Sequence, residues 1–336
     1  MSLNKKINSK ARSEINTGFG INSGDYGGRF VNKDGNANIE KTGIGLLKRT
    51  SWYHTMLAWP RWKFFAVIFI FFVCINLFFA VVYSIVGVDH LNGLVNGTRV
   101  DKFMEAFFFS CQTFTTVGYG RINPVGFLTS GIAAAEALVG LLSFALVTGL
   151  LYGRFSKPKA YLMFSENALL APYKDYTAIM MRVAPYKNNT LVDAEAKLTL
   201  GMTIEEDGKM VNKFYQLPLE FNTVNTLTLS WTVVHPITED SPLYRFTRED
   251  FASIRGEFLV FIKAFDDMFS ATVVARSSYT FQEVVIGAKF NPMYNRSLEG
   301  NKTVLHLDKL NSYTTMDINY SFAEKTAIEA AITPAS

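Results

Sequence analysis

Two stretches of this chain are long and apolar enough to rule out most folds. Phe64 to Val88 runs for 25 residues without a formal charge, interrupted mainly by Asn76 and Ser84. As a helix it reaches about 37 Å at 1.5 Å per residue, enough to cross a hydrocarbon core about 30 Å thick with some tilt. The second stretch, from about Gly126 to Gly153, carries one carboxylate, Glu136. Lipid offers no partners to backbone N–H and C=O groups, so a spanning segment of this kind must be a helix. A charge inside such a span is costly and functionally suspect. For Glu136 a supporting role is expected, hydrogen-bonded to the backbone of the loop between the spans.

The flanking charges set the orientation. Lys48, Arg49, Arg61 and Lys63 precede the first span, and Arg154, Lys157 and Lys159 follow the second. The connecting segment has Arg99, Lys102 and Arg121, partly offset by Asp89, Asp101 and Glu105. The bias predicts both termini in the cytoplasm. The connecting segment then faces outward and folds back in. Its apolar part, about Lys102 to Thr113, is too short to span and is expected as a re-entrant helix. From Leu46 to Trp59, apolar and aromatic residues recur at roughly helical spacing with basic residues among them. This predicts an amphipathic helix in the membrane surface, the alternative being a surface helix packed on a soluble domain. Pro60 breaks it.

Between the spans lies Thr113-Phe114-Thr115-Thr116-Val117-Gly118-Tyr119-Gly120. A dehydrated cation needs oxygens in place of its water shell, and backbone carbonyls supply them if they all point one way. Two glycines allow φ values closed to other residues. Thr116 to Gly120 is also the string TVGYG by which potassium-channel filters are known, a match recognised rather than worked out from spacing. Gly-Tyr-Gly occurs in ordinary turns; its seat between two spans is what makes the match specific.

Composition fits a chain that is part membrane and part soluble: 49% hydrophobic, with a mean hydropathy of +0.13. The balance of 33 basic to 29 acidic residues is too mild to imply nucleic acid. Cys74 and Cys111 both fall in apolar stretches and read as small buried hydrophobes, not a disulfide or metal pair. The first 45 residues are polar, with no removable signal peptide visible and only Arg29-Phe30-Val31-Asn32 suggesting a short edge strand. From about Ala160 the pattern turns to period two. Runs at 176–185, 194–202, 226–234, 257–265 and 271–281, punctuated by turn clusters such as Asp240-Ser241-Pro242, predict an antiparallel sandwich of immunoglobulin-like type. Residues 322–336 are expected to form a short helix. His54, His90, His235 and His306 lie far apart with no metal-ligand spacing, and nucleophile elbows and phosphate loops are absent. An enzyme is not expected.

With these parts placed, the chain resembles the inward-rectifier potassium channel family, most closely its bacterial branch (KirBac). The filter carries the resemblance, together with Arg154-Phe155-Ser156-Lys157-Pro158, Glu239-Asp240-Ser241-Pro242-Leu243-Tyr244 and Arg276-Ser277-Ser278-Tyr279, spread over roughly 46–310. The family implies a homotetramer in a bacterial inner membrane, with potassium as permeant ion and no cofactor. It implies a slide helix, outer helix, pore helix and inner helix, then a cytoplasmic β-sandwich. With the sequence pattern this divides the chain into a mobile Gly-, Asn-, Ser- and Lys-rich N-terminus (1–45), a pore domain with a re-entrant filter (46–159), the β-sandwich (160–322) and a tail (323–336). Two departures matter. Strong rectifiers of the family carry an acid on the inner helix at the position matching Phe144. The family's cytoplasmic constriction is Gly-rich, whereas this chain has Met268, Phe269, Ser270 and Ala271.

The candidate sites follow. Thr115, Thr116, Val117, Gly118, Tyr119 and Gly120 form the filter, with potassium at Thr116 to Tyr119. Phe144 and Tyr152, eight apart on one helical face, are gate candidates closing by dewetting; helix packing or lipid contact is the alternative. Arg61, Lys63, Arg154, Lys157 and Lys159 are candidates for anionic lipid, phosphoinositides in particular, or are simple topological anchors. Asp266 and Asp267 either ring the cytoplasmic vestibule or form a solvated strand end. The leading function is a gated potassium-selective channel. A poorly selective cation channel and a membrane-tethered ligand-sensing module are the competing readings.

Overall fold

The structure is a computed structural model that describes residues 7, 13, 18, 28–45, 51–95, 97–174, 176–206, 208–297 and 300–316. The helix expected at 322–336, the tail from 323 and the start of the amphipathic helix at 46–50 lie outside these residues. The chain divides into two compact units, Lys41–Lys157 and a second made of Met1–Glu40 with Pro158–Ser336.

In the first unit, α1 (Trp52–Ala58) leads through Pro60 into α2 (Arg61–Val86), the first candidate span. A short re-entrant helix, α3 (Arg99–Phe114), follows, and then the second candidate span, α4 (Phe127–Phe155). Helix α3 begins three residues earlier than the apolar pattern suggests because Thr98 and Asp101 form a reciprocal capping box. The faces that pack inward carry small and polar groups at spacings of three and four: Asn76, Ala80 and Tyr83 on α2, with Phe79 beside them, and Thr129, Ala133, Glu136 and Gly140 on α4. Large apolar residues such as Phe69, Ile70, Phe78 and Leu142 point outward. The strands β1 (Leu91–Asn92) and β2 (Asn123–Pro124) pair and tie the two ends of the connecting segment together.

The second unit is a sandwich. Its first sheet holds β6 (Leu191–Glu206), β7 (Lys209–Leu217), β8 (Thr223–Leu227), β10 (Arg255–Asp266) and β11 (Ala271–Thr280). Its second holds β3 (Leu162–Phe164), β4 (Ala168–Tyr173), β5 (Tyr176–Pro185), β9 (Trp231–Ile237) and β12 (Val284–Ile286). Alternate residues face the space between them, among them Leu198, Leu200 and Met202 from β6 and Phe258, Val260 and Ile262 from β10. Ile179, Met181 and Val183 of β5 meet them from the other side.

Three expectations are corrected. The run 226–234 is not one strand: β8 pairs with β6 in the first sheet, and β9 pairs with β5 in the second. An apolar run carries no mark of a change of sheet. The sandwich is also not wholly antiparallel, because β12 pairs parallel to β4, having returned through β11 from the opposite sheet. Arg29-Phe30-Val31-Asn32 joins neither sheet; its one pairing is an isolated antiparallel bridge from Val31 to Ala37. Buried Glu257 on β10 accepts the N–H groups of Phe30 and Val31, the latter at 3.1 Å, and burial pushes its carboxyl above the usual carboxylate range. Arg29 forks onto both oxygens of Glu283, at 3.2 and 2.9 Å, and Phe30 packs against Phe214.

Candidate functional site

The loop after α3 has an unusual backbone. Thr115 closes the helix with its hydroxyl on Cys111 O at 2.6 Å. Beyond it φ is +59° at Thr116, +56° at Gly118 and +82° at Gly120, while Val117 and Tyr119 between them stay out of the positive region. Alternating hand along a chain turns successive N–H groups to one side and carbonyls to the other. The N–H groups of Val117 and Gly118 both reach back to Gln112 O, at 2.9 and 3.4 Å. A β-branched residue in the left-handed region is strained, and such strain collects at functional sites. Thr115 to Gly120 are all exposed in the single chain, Val117 at 53% and Tyr119 at 79%. After the loop Arg121 pairs with Glu105 on α3 and donates to Gly93 O at 3.3 Å, so both ends of the stretch are held.

Behind the loop sits Glu136, fully buried with Asn76, Ser110 and Tyr83. Tyr83 Oη donates to Glu136 Oε2 at 2.6 Å; Ser110 Oγ touches Glu136 Oε1 and lies 3.0 Å from Asn76 Oδ1. The expected partner was loop backbone. The actual partners are side chains from α2 and α3, because α3 lies between the two spans at this level. Four residues further along α4, Gly140 lets the helix pass against the end of α3: a Cβ there would stand 1.9 Å from Phe114 O. Asn76 stood out in the sequence as a break in an apolar run. Gln112, Ser110 and Tyr83 carried no signal.

Phe144 is 73% exposed and shares a hollow of about 500 Å³ with Thr115, Thr116, Phe72, Phe114 and Leu141. It therefore faces the same open space as the base of the loop. Tyr152, two turns on, is equally exposed. Of the lipid-binding candidates in this unit, Arg61, Lys63 and Lys157 are exposed. Arg154 is half-buried and engaged: its Nη2 donates to Trp59 O at 2.7 Å, capping α1, and the guanidinium lies 5.1 Å from the Phe64 ring centre. Lys159, in the other unit, is exposed beside a hollow shared with Lys33, Tyr161, Tyr186 and Arg276.

Met268, Phe269 and Ser270 form the tip of the β10–β11 hairpin and Ala271 opens β11, with Ser270 at φ +47°. Asp266 is fully buried and accepts the Phe269 N–H at 3.2 Å, so it holds the hairpin together, while Asp267 is exposed. In place of glycine, this turn has a buried carboxylate and one left-handed serine.

Two candidate spans packed around a short helix, with a loop of alternating backbone hand after it, define the fold class of a two-span membrane protein with a β domain. The profile of the ion channel family matches residues 70–157, and that of the inward rectifier potassium channel C-terminal domain matches residues 162–330. The inward rectifier potassium channel Kirbac3.1 of Paramagnetospirillum magnetotacticum is 32% identical over 82% of this chain and 92% of its own length. The ATP-sensitive inward rectifier potassium channel 12 of Bos taurus is 27% identical over 79% of this chain and 67% of its own. The chain belongs to the inward rectifier potassium channel family, a family of ion channels and not enzymes. Among solved structures, the Bacillus subtilis sporulation control protein Spo0M aligns over 40% of this chain and 58% of its own at 11% identity, with a TM-score of 0.22, from which no shared fold follows.

Proposed function

We propose that four copies of this chain surround a potassium-selective pore whose filter is Thr115 to Gly120, with ions held by the carbonyls and hydroxyl of Thr116 to Tyr119. The observation that carries this reading is the alternation of φ at Thr116, Gly118 and Gly120, with the intervening N–H groups drawn back onto Gln112 O. Exposure of the whole loop in one chain supports a partnered pore, since carbonyls without partners on the far side are what neighbouring copies would complete. No cofactor enters; the ion gradient drives flux.

The proposed gate is the face of α4 bearing Phe144 and Tyr152, supported by their exposure and, for Phe144, by the hollow shared with the filter base. A second narrowing is proposed at Met268 to Ala271. With phenylalanine at position 144 the cavity has no ring of acids there, so block by multivalent cations is weak. Basic flanks and the bacterial relative support a bacterial inner membrane with both termini cytoplasmic, the pore domain at 46–159 and the β domain at 160–322. Anionic lipid, phosphoinositide in particular, is proposed to act on Arg61, Lys63, Lys157 and Lys159, with Arg154 contributing by seating α1.

The test is reversal potential in bilayers of purified protein under potassium–sodium gradients. Strong preference for potassium is expected. A permeability ratio near one would mean a poorly selective cation pore, and no current with an intact oligomer would leave a membrane-tethered sensing module.

A further inference from the structure

The hydrogens in the cluster around Glu136 can be assigned from geometry. Asn76 Nδ2 lies 2.7 Å from Phe72 O, which only accepts, so that end of the amide is the NH₂ and Oδ1 is the end facing Ser110. Oδ1 also only accepts, so Ser110 gives its single hydroxyl hydrogen to Asn76, 3.0 Å away. Ser110 Oγ is in contact with Glu136 Oε1 as well. Its hydrogen already committed, Ser110 can only accept there, and the hydrogen between the two oxygens belongs to Glu136. Tyr83 completes the chain by donating to Oε2 at 2.6 Å.

The surroundings agree. Asn76, Ser110, Tyr83 and Glu136 are each buried within one chain at 0% exposure, so neither lipid nor a second copy reaches them. The titratable groups against Glu136 are Tyr83 from α2 and Cys111 from α3. The ion pairs Lys102–Asp89 and Arg121–Glu105 of this unit leave Glu136 aside. A bare carboxylate in this position would lack a counter-charge, the costliest kind of burial. As an acid it completes a chain in which every hydrogen is placed, and a fully satisfied buried network rigidifies what it joins.

We propose that Glu136 is carried as the neutral carboxylic acid and that, donating to Ser110 and accepting from Tyr83, it is the positioning residue that locks α3 between the two spans. Its effect reaches the filter through a short path. Gly140, one turn along α4, touches Phe114 O, and Thr115 and Thr116 follow directly. A shift of α3 against α4 moves the first carbonyls of the loop.

The experiment uses the full-length protein in liposomes. Infrared difference spectra between wild type and Glu136→Gln are expected to show the carbonyl stretch of a protonated acid in the wild type alone. Rubidium flux of Glu136→Gln is expected within about twofold of wild type, because an amide keeps both bonds, accepting from Tyr83 and donating to Ser110. A second variant, Asn76→Leu, removes the acceptor that fixes the Ser110 hydrogen, and the acid band is expected to shift or vanish. An absent acid band in the wild type, a flux loss of about tenfold or more in Glu136→Gln, as expected from a broken buried charged hydrogen bond, or an unchanged band in Asn76→Leu would each overturn the proposal. Only the flux readout depends on the protein being a channel; the infrared readout does not.

Discussion

The two units turn different groups outward. In the β unit, Leu198, Phe258 and Ile179 fill the interior, as water dictates, and buried carboxylates such as Glu257 and Asp266 are held by backbone N–H groups. In the membrane unit, Phe69, Ile70 and Phe78 face outward while Asn76, Ser110 and Glu136 lie at 0% exposure. Where the solvent is hydrocarbon, apolar burial no longer chooses which face turns inward. Small residues that allow close approach and polar residues that need partners make that choice. One chain therefore uses two different criteria for an interior, and each breaks in its own way.

The sharpest break falls on the membrane side. Gly118 sits at φ +56°, and a Cβ in the left-handed region costs about 1–2 kcal/mol per residue, repeated in every copy of the proposed tetramer. Gly118→Ala is expected to reduce rubidium flux to background while size-exclusion chromatography still shows the wild-type oligomer. Wild-type flux from that oligomer would remove the filter from the proposed pore. The β unit is expected to tolerate its own polar burial until protons intervene. His235 Nδ1 donates to Pro218 O at 2.6 Å, so Nε2 of the neutral ring accepts from Ser241 Oγ at 2.8 Å, and burial lowers its pKa from 6.5 to about 4. The unfolded chain therefore binds the proton first. Stability is complete above pH 6.5 and falls as pH drops towards about 4, by about 3 kcal/mol in all. Thermal melts at stepped pH would show the decline, and His235→Gln should flatten it; an equal decline in that variant would assign the acid sensitivity to other groups.

The smallest effect separates two kinds of basic residue. Lys157 and Lys159 are exposed, whereas Arg154 caps α1. Each exposed cation near an anionic surface is worth about 1 kcal/mol. Replacing both lysines with glutamine is expected to weaken the response of flux to phosphoinositide several-fold and leave selectivity unchanged. Superimposable dose curves would make the lysines anchors only.

The sequence was most readable where a pattern was local. The spans, the re-entrant helix and the TVGYG string are each contiguous, and the strands at 257–265 and 271–281 match β10 and β11 closely. What stayed hidden depends on distant pairing. Tyr83 and Ser110 meet Glu136 across 53 and 26 residues, which no spacing rule reports. The residues at 226–234 look uniform, although they cross from one sheet to the other. Asp266 looked like surface charge because the hairpin that swallows it closes only when Phe269 turns back.

The docking of Arg29, Phe30 and Val31 onto Glu257 and Glu283 has a consequence in time. The strap leaves the ribosome first, and its partners leave about 250 residues later. At 5–20 residues per second, that delay is about 13–50 s. Throughout it the two spans between them are made and available for insertion, while the strap has only its own local turn at residues 30–38 to hold it. The contact that secures the N-terminus is thus among the last to form, and it forms only on a chain translated past Glu283.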